Sequence, residues 1–167
     1  MSSPPPDPLR VLALVQQLND KFGSQELGQI MQTLLALSFR HAGFQILKNA
    51  VGVPDIQAFR SEAPPGFAIE AKVGDTTISL SARDLEGVVS SQRNPVVAAF
   101  FLSDPVPHWW MVDARSLKAR TYRRFEVAAK PSVDVGFDVT EAFSRVLASE
   151  FSYAIEGQGP LSRLLSE

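Results

Sequence analysis

Seven consecutive apolar residues, at positions 96–102, constrain the fold of this chain more than any other segment. A strand with no polar side chain on either side must be covered on both faces, because each face would otherwise expose hydrophobic surface to water. The run is also far too short to span a bilayer. A strand buried on both faces needs layers on both sides of its sheet, so the run predicts a layered α/β domain.

Helical and two-residue periodicities organise the rest of the chain. Asp7, Ser24 and Ser81 are predicted to cap three helices, and Asp84 completes a capping box with Ser81. The Asn-Pro pair at 94–95 is predicted to end the third helix. The predicted elements are helices at 8–22 and 24–42, strands at 44–47, 53–59 and 67–73, a helix at 82–93, strands at 96–102 and 109–112, and a helix at 140–153. This order predicts an α/β domain with a mixed sheet.

The 167 residues are predicted to form a single domain, since this length supports one sizeable core. Within it we distinguish an N-terminal helical extension (1–23), a core (24–115), and a basic segment followed by a C-terminal helix (116–167). The N-terminus lacks the basic and apolar regions of a signal peptide, so a cytoplasmic protein is expected.

The composition limits the kind of metal site that the chain could form. There is no cysteine, which excludes disulfides and thiolate ligands, and the two histidines disfavour a zinc site. A metal would have to bind oxygen ligands, which favours Mg²⁺ or Mn²⁺. The net charge of −2 argues mildly against bulk binding of nucleic acid.

Two carboxylates and one amine are candidates for chemistry. Glu70 and Lys72 lie two residues apart in the otherwise apolar strand at 67–73, so both side chains project from one face. Antiparallel pairing through the turn at 64–66 is expected to bring Asp55 beside Glu70. Two close carboxylates repel each other, and a hard divalent cation relieves that repulsion. The alternative is a salt bridge between Glu70 and Lys72, with Asp55 as a turn residue after proline.

In the order and spacing of these motifs, residues 28–112 resemble the PD-(D/E)xK nuclease superfamily, and within it the small archaeal Holliday junction resolvases and the Mrr-like endonucleases. The matching motifs are Pro54-Asp55 and Glu70-Ala71-Lys72. The resemblance implies a restriction endonuclease-like domain of three layers, with a central mixed β-sheet flanked by helices. It also implies that Asp55, Glu70 and the backbone carbonyl of Ala71 bind Mg²⁺, which would lower the pKa of a bound water. Lys72 would orient that water or stabilise the charged transition state, and the products would carry a 5′-phosphate and a 3′-hydroxyl.

One position departs from the superfamily pattern. The family often carries a glutamate on the first core helix, four residues after a glycine and eleven before a Gly-Phe pair. Counted from Gly28 and Gly43, this position is Gln32, which we include among the catalytic candidates. Glutamine can accept a hydrogen bond from a metal-bound water, but it brings no negative charge, which puts a second metal site in doubt.

The resemblance therefore predicts a metal-dependent DNA endonuclease that is structure-selective or only weakly sequence-specific, because no separate target-recognition domain is visible. A homodimer is expected, since cutting both strands of a duplex or junction needs two active centres. Two alternatives stay open. The chain could be a nuclease-like fold without catalysis that binds DNA or serves in assembly, or a purely structural oligomer.

The segment at 115–124 contains five basic residues and no acid. It predicts a phosphate-binding edge beside the active site, with Tyr122 available for stacking. The alternative is a solvated surface whose charge is balanced by acids elsewhere in the fold. The nucleic-acid-binding candidates are Lys118, Arg120, Arg123 and Arg124, with Arg60 and Arg83 as weaker ones.

Overall fold

The computed structural model describes residues 4–48, 54–62 and 64–156. Its helices are α1 (Pro8–Phe22), α2 (Ser24–His41), α3 (Ala82–Val89), α4 (Arg124–Ala128) and α5 (Val139–Glu156). Its strands are β1 (Gln45–Lys48), β2 (Ile56–Phe59), β3 (Phe67–Gly74), β4 (Thr77–Ser79), β5 (Asn94–Phe101), β6 (Trp109–Asp113) and β7 (Thr121–Arg123). The mixed α/β class is confirmed. The predicted start of the second strand, at position 53, lies outside the described residues.

A five-stranded mixed sheet forms the middle of the fold, in the order β1-β2-β3-β5-β6. β3 and β5 are parallel, whereas the β1–β2, β2–β3 and β5–β6 pairs are antiparallel. The parallel pair needs a crossover connection, and that connection contains α3. β3 lies in the centre of the sheet, so side chains that alternate along it face one layer and then the other.

Two hydrophobic clusters cover the two faces of this sheet. The larger cluster contains Ile69 and Ala71 of β3 with the buried faces of α1, α2 and α5. The smaller one contains Ala68 of β3 and Val97 of β5 together with Val88 of α3. Every residue of β5 after Asn94 is buried, as the apolar run predicts. The sheet is therefore flanked by two layers, which agrees with the expected three-layer arrangement.

The helix starts follow from local hydrogen bonds. The side chain of Asp7 accepts a hydrogen bond from the Leu9 N–H (2.8 Å), and Pro8 is the first residue of α1. Ser81 and Asp84 form the predicted capping box of α3, with both hydrogen bonds at 3.0 Å. The predicted cap of α2 is wrong by one residue, because Gly23 occupies the cap and Ser24 already belongs to the helix.

Three short elements lack a periodic signal in the sequence. β4 and β7 pair as a separate two-stranded sheet, and each has only three residues. α4 has five residues and begins at Arg124, the last residue of the basic segment.

The predicted end of the third helix is also wrong, since α3 stops at Val89 and Asn94 begins β5. Among the described residues, no helix is long and apolar enough to cross a membrane.

Candidate active site

Asp55 lies beside Glu70, as expected from the antiparallel pairing. Ile56 pairs with Ile69 in the antiparallel β2–β3 register, so Asp55, just before β2, comes opposite Glu70 of β3. The Asp55 Oδ2 atom accepts hydrogen bonds from the Ala71 backbone N–H at 3.0 Å and from the Gln32 Nε2 at 3.3 Å. These two bonds hold the Asp55 carboxylate just before the start of β2. They also bring Gln32 of α2 into the site, at the position counted from the two glycines.

Glu70 is buried on the sheet, with 4% of its surface exposed. The pKa of Glu70 is raised from 4.5 to about 9, chiefly by burial and then by hydrogen bonding to Asp55 and by the negative charges of Asp55 and Asp84. The Lys72 ammonium acts in the opposite direction, but its Nζ lies 3.9 Å from the nearer Glu70 oxygen. The other oxygen, Oε2, is buried and has no hydrogen-bond partner among the described residues. Glu70 is therefore neutral at pH 7 unless a cation compensates its charge.

Lys72 forms its shorter contact with a residue that the sequence did not identify as part of the site. Its Nζ lies 3.0 Å from the Asp84 Oδ2 atom at the start of α3. Burial alone would raise the pKa of Asp84, but hydrogen bonds from Ser81 and Lys72 lower it overall. The sequence shows Asp84 only as a capping residue. Nothing in the local pattern indicates that the crossover turns this helix start towards Lys72.

The proposed ligands fit a divalent cation in chemistry. The carboxylates of Asp55 and Glu70 lie next to each other, and the negative charge of Asp55 opposes ionisation of Glu70. A buried carboxylate oxygen without a partner is the kind of ligand that a hard cation requires. No three His, Cys, Asp or Glu side chains are grouped as metal ligands within the described part of the chain. The remaining ligands would then have to be backbone carbonyls, such as that of Ala71, and solvent.

Two of the predicted DNA-binding arginines are paired with acids. Arg120 forms a 2.9 Å ion pair with Glu126 of α4 and covers the ring of Tyr122 at 3.7 Å. Arg124 forms a 2.8 Å ion pair with Asp104, whose side chain is almost fully buried. The segment that contains no acid in sequence thus acquires acidic partners in the fold. These ion pairs are what the balanced-surface alternative expects, and a contact of the two arginines with DNA stays a prediction.

The other basic candidates differ in their surroundings. Lys118, Arg123 and Arg83 are exposed, and none of them has an ion pair within the described ranges. Arg60 instead donates a hydrogen bond to the Ala42 carbonyl and stacks over the ring of Phe44 at 4.2 Å. These contacts give Arg60 a role in holding β2 against the end of α2.

The chain was also compared with known proteins. No family model matches it, and no curated protein matches it. The chemistry of this site has therefore to be inferred from its geometry.

Proposed function

We propose that this protein is a metal-dependent DNA endonuclease of the PD-(D/E)xK type. One observation supports the proposal most directly: Asp55, Glu70 and Lys72 lie together at the sheet, and a buried Glu70 oxygen has no hydrogen-bond partner in the part of the chain that the structure describes. A salt bridge between Glu70 and Lys72 explains the arrangement less well, because Lys72 lies closer to Asp84 than to Glu70.

In this proposal Asp55, Glu70 and the carbonyl of Ala71 hold Mg²⁺ or Mn²⁺. The bound ion would supply positive charge for activating water and for neutralising the scissile phosphate. Lys72 orients the attacking water or donates a hydrogen bond to the developing negative charge, with its ammonium group held next to Asp84. Gln32 holds the Asp55 carboxylate through its amide, and it leaves the charge of the site unchanged.

A second candidate function is a nuclease-like fold that binds DNA without cutting it, or that serves in assembly. Gln32 supports this second candidate, because the nucleases that the chain resembles often have a glutamate at that position, whereas this chain has an amide. For either function we propose a cytoplasmic homodimer. Light scattering at micromolar concentration tests the dimer, and a mass of 18.2 kDa would contradict it.

Calorimetry with Mn²⁺ separates the two candidates from each other. The wild type should bind the ion, and Asp55→Asn and Glu70→Gln should each abolish binding. Asp20→Asn is a matched control, since it removes one exposed carboxylate from α1, in the layer on the other face of the sheet. A panel of duplex, single-stranded, flapped and four-way DNA with Mn²⁺ then tests cleavage. Absence of both Mn²⁺ binding and cleavage in the wild type would leave the non-catalytic alternative.

A further inference from the structure

The small sheet of β4 and β7, here called the ribbon, has one buried and one exposed face. Ile78 and Tyr122 pair across it and are buried. The exposed residues are those before and after them, and they form what we call the outer face: Thr77, Ser79, Thr121 and Arg123. Alternate residues on one strand lie about 7 Å apart, so the outer face is a regular array of polar groups.

The ribbon is joined to the candidate active site by a short chain of contacts. The Leu80 N–H donates a hydrogen bond to the Arg120 carbonyl at 3.0 Å, directly after β4 and directly before β7. The next residue, Ser81, caps α3 together with Asp84, and Asp84 contacts Lys72. The ribbon therefore adjoins the side of the site that contains Lys72 and Asp84.

The chemistry of the outer face suits one kind of partner. It contains three hydroxyl groups and one guanidinium, with no carboxylate and no large apolar side chain. The Ser79 and Thr121 hydroxyls hydrogen-bond each other at 2.8 Å and remain exposed, so each can also contact a ligand. Protein interfaces have an apolar centre, whereas hydroxyl and arginine groups are typical contacts to phosphate oxygens.

Charge supports the same partner. Arg123 has no ion pair within the described residues, and the same is true of Lys118 at the start of the basic segment and of Arg83 beside Asp84. Of the acids closest in sequence to the two strands, Asp75 precedes β4 and Glu126 follows β7, where its Oε1 accepts a hydrogen bond from the Arg123 backbone N–H at 3.0 Å. Glu126 is already paired with Arg120.

We propose that the outer face of the ribbon binds the phosphodiester backbone of DNA next to the active site, without reading its sequence. This inference rests on the proposed function, because DNA is the substrate named there. It assigns the contact to the hydroxyls and Arg123, and not to Arg120 and Arg124, whose charges are used within the fold.

The test measures the affinity of the full chain for a labelled DNA duplex of arbitrary sequence, in EDTA so that no cleavage occurs. Arg123→Gln should weaken binding about fivefold and reduce the salt dependence by about one counterion. Ser79→Ala combined with Thr121→Val should weaken binding about threefold and leave the salt dependence unchanged. Arg10→Gln is the matched control, because it removes one exposed positive charge from α1, in the layer on the other face of the sheet.

The inference is overturned if Arg123→Gln binds DNA with the same affinity and salt dependence as the control Arg10→Gln. It is also overturned if the wild type binds no duplex at low salt. The proposed function is judged separately. If the wild type cleaves DNA and the ribbon variants bind DNA normally, the endonuclease proposal is supported and the ribbon contact is contradicted. If the wild type binds DNA through the ribbon but never cleaves it, the ribbon contact is supported and the endonuclease proposal is contradicted.

Discussion

Replacing Glu70 by glutamine should make the metal-free protein more stable at neutral pH, although it changes a buried side chain of the central strand. In the native protein the pKa of Glu70 is raised from 4.5 to about 9, chiefly by burial and then by Asp55. The folded state therefore keeps a proton that the unfolded state releases above pH 4.5. Because the folded state binds more protons, stability falls as pH rises between these two values.

The size of the effect follows from the pKa difference. Each pH unit inside the window costs about 1.4 kcal/mol, so Glu70 lowers the free energy of unfolding by about 3 kcal/mol between pH 5 and pH 7. Glutamine has no proton to lose, and it keeps the shape of the side chain. The variant and the wild type should therefore be similar in stability at pH 5, and the variant should be more stable at pH 7.

Urea denaturation in EDTA, followed by the fluorescence of Trp109 and Trp110, measures this difference directly. Mn²⁺ should reverse the order of stability, because it stabilises only a protein that binds it. Glu86→Gln serves as the control, since Glu86 is an exposed residue of α3. The reasoning is refuted if Glu70→Gln is less stable than the wild type at pH 7 in EDTA, or if both lose stability equally between pH 5 and pH 7.

Three further substitutions test individual contacts. Lys72→Ala should keep Mn²⁺ affinity and lose about 10²-fold or more in single-turnover cleavage, and loss of Mn²⁺ binding would contradict its assigned role. Gln32→Glu places a third carboxylate beside Asp55 and should tighten Mn²⁺ binding about tenfold in calorimetry, whereas weaker binding would exclude a ligand at this position. Asp104→Ala removes the acceptor of the Trp110 indole N–H and should cost about 2 kcal/mol in urea denaturation. A cost near zero would mean that this buried carboxylate is not a structural partner.

The sequence predicts that Asp55, Glu70 and Lys72 lie near one another, and it does so for a physical reason. Charged residues in an apolar strand stand out, and strand alternation places Glu70 and Lys72 on one face without further knowledge. The turn after β2 fixes antiparallel pairing, and that pairing brings Asp55 to Glu70. Gly66 supports this turn, because its φ of +72° and its close approach to Ala58 leave no room for a Cβ atom.

The surroundings of the site are less predictable, because they depend on contacts between elements that are distant in sequence. Asp84 reaches Lys72 only because the crossover between two parallel strands brings α3 back over the sheet. Arg124 looks unpaired in the sequence, but in the fold it forms an ion pair with Asp104, which lies 20 residues earlier in the loop before β6. β4 and β7 are too short for periodicity to reveal them, so the ribbon emerges only from their pairing.

The capping box of α3 has a consequence for the stability of the proposed active site. One carboxylate, that of Asp84, both caps the helix and holds the Lys72 ammonium. The helix has only eight residues, and Val88 alone is buried among them. Local opening of such a segment requires less free energy than global unfolding. We therefore expect amide exchange in α3 to be faster than in β3 and β5, and the proposed cleavage to fail at a urea concentration below the midpoint of global unfolding.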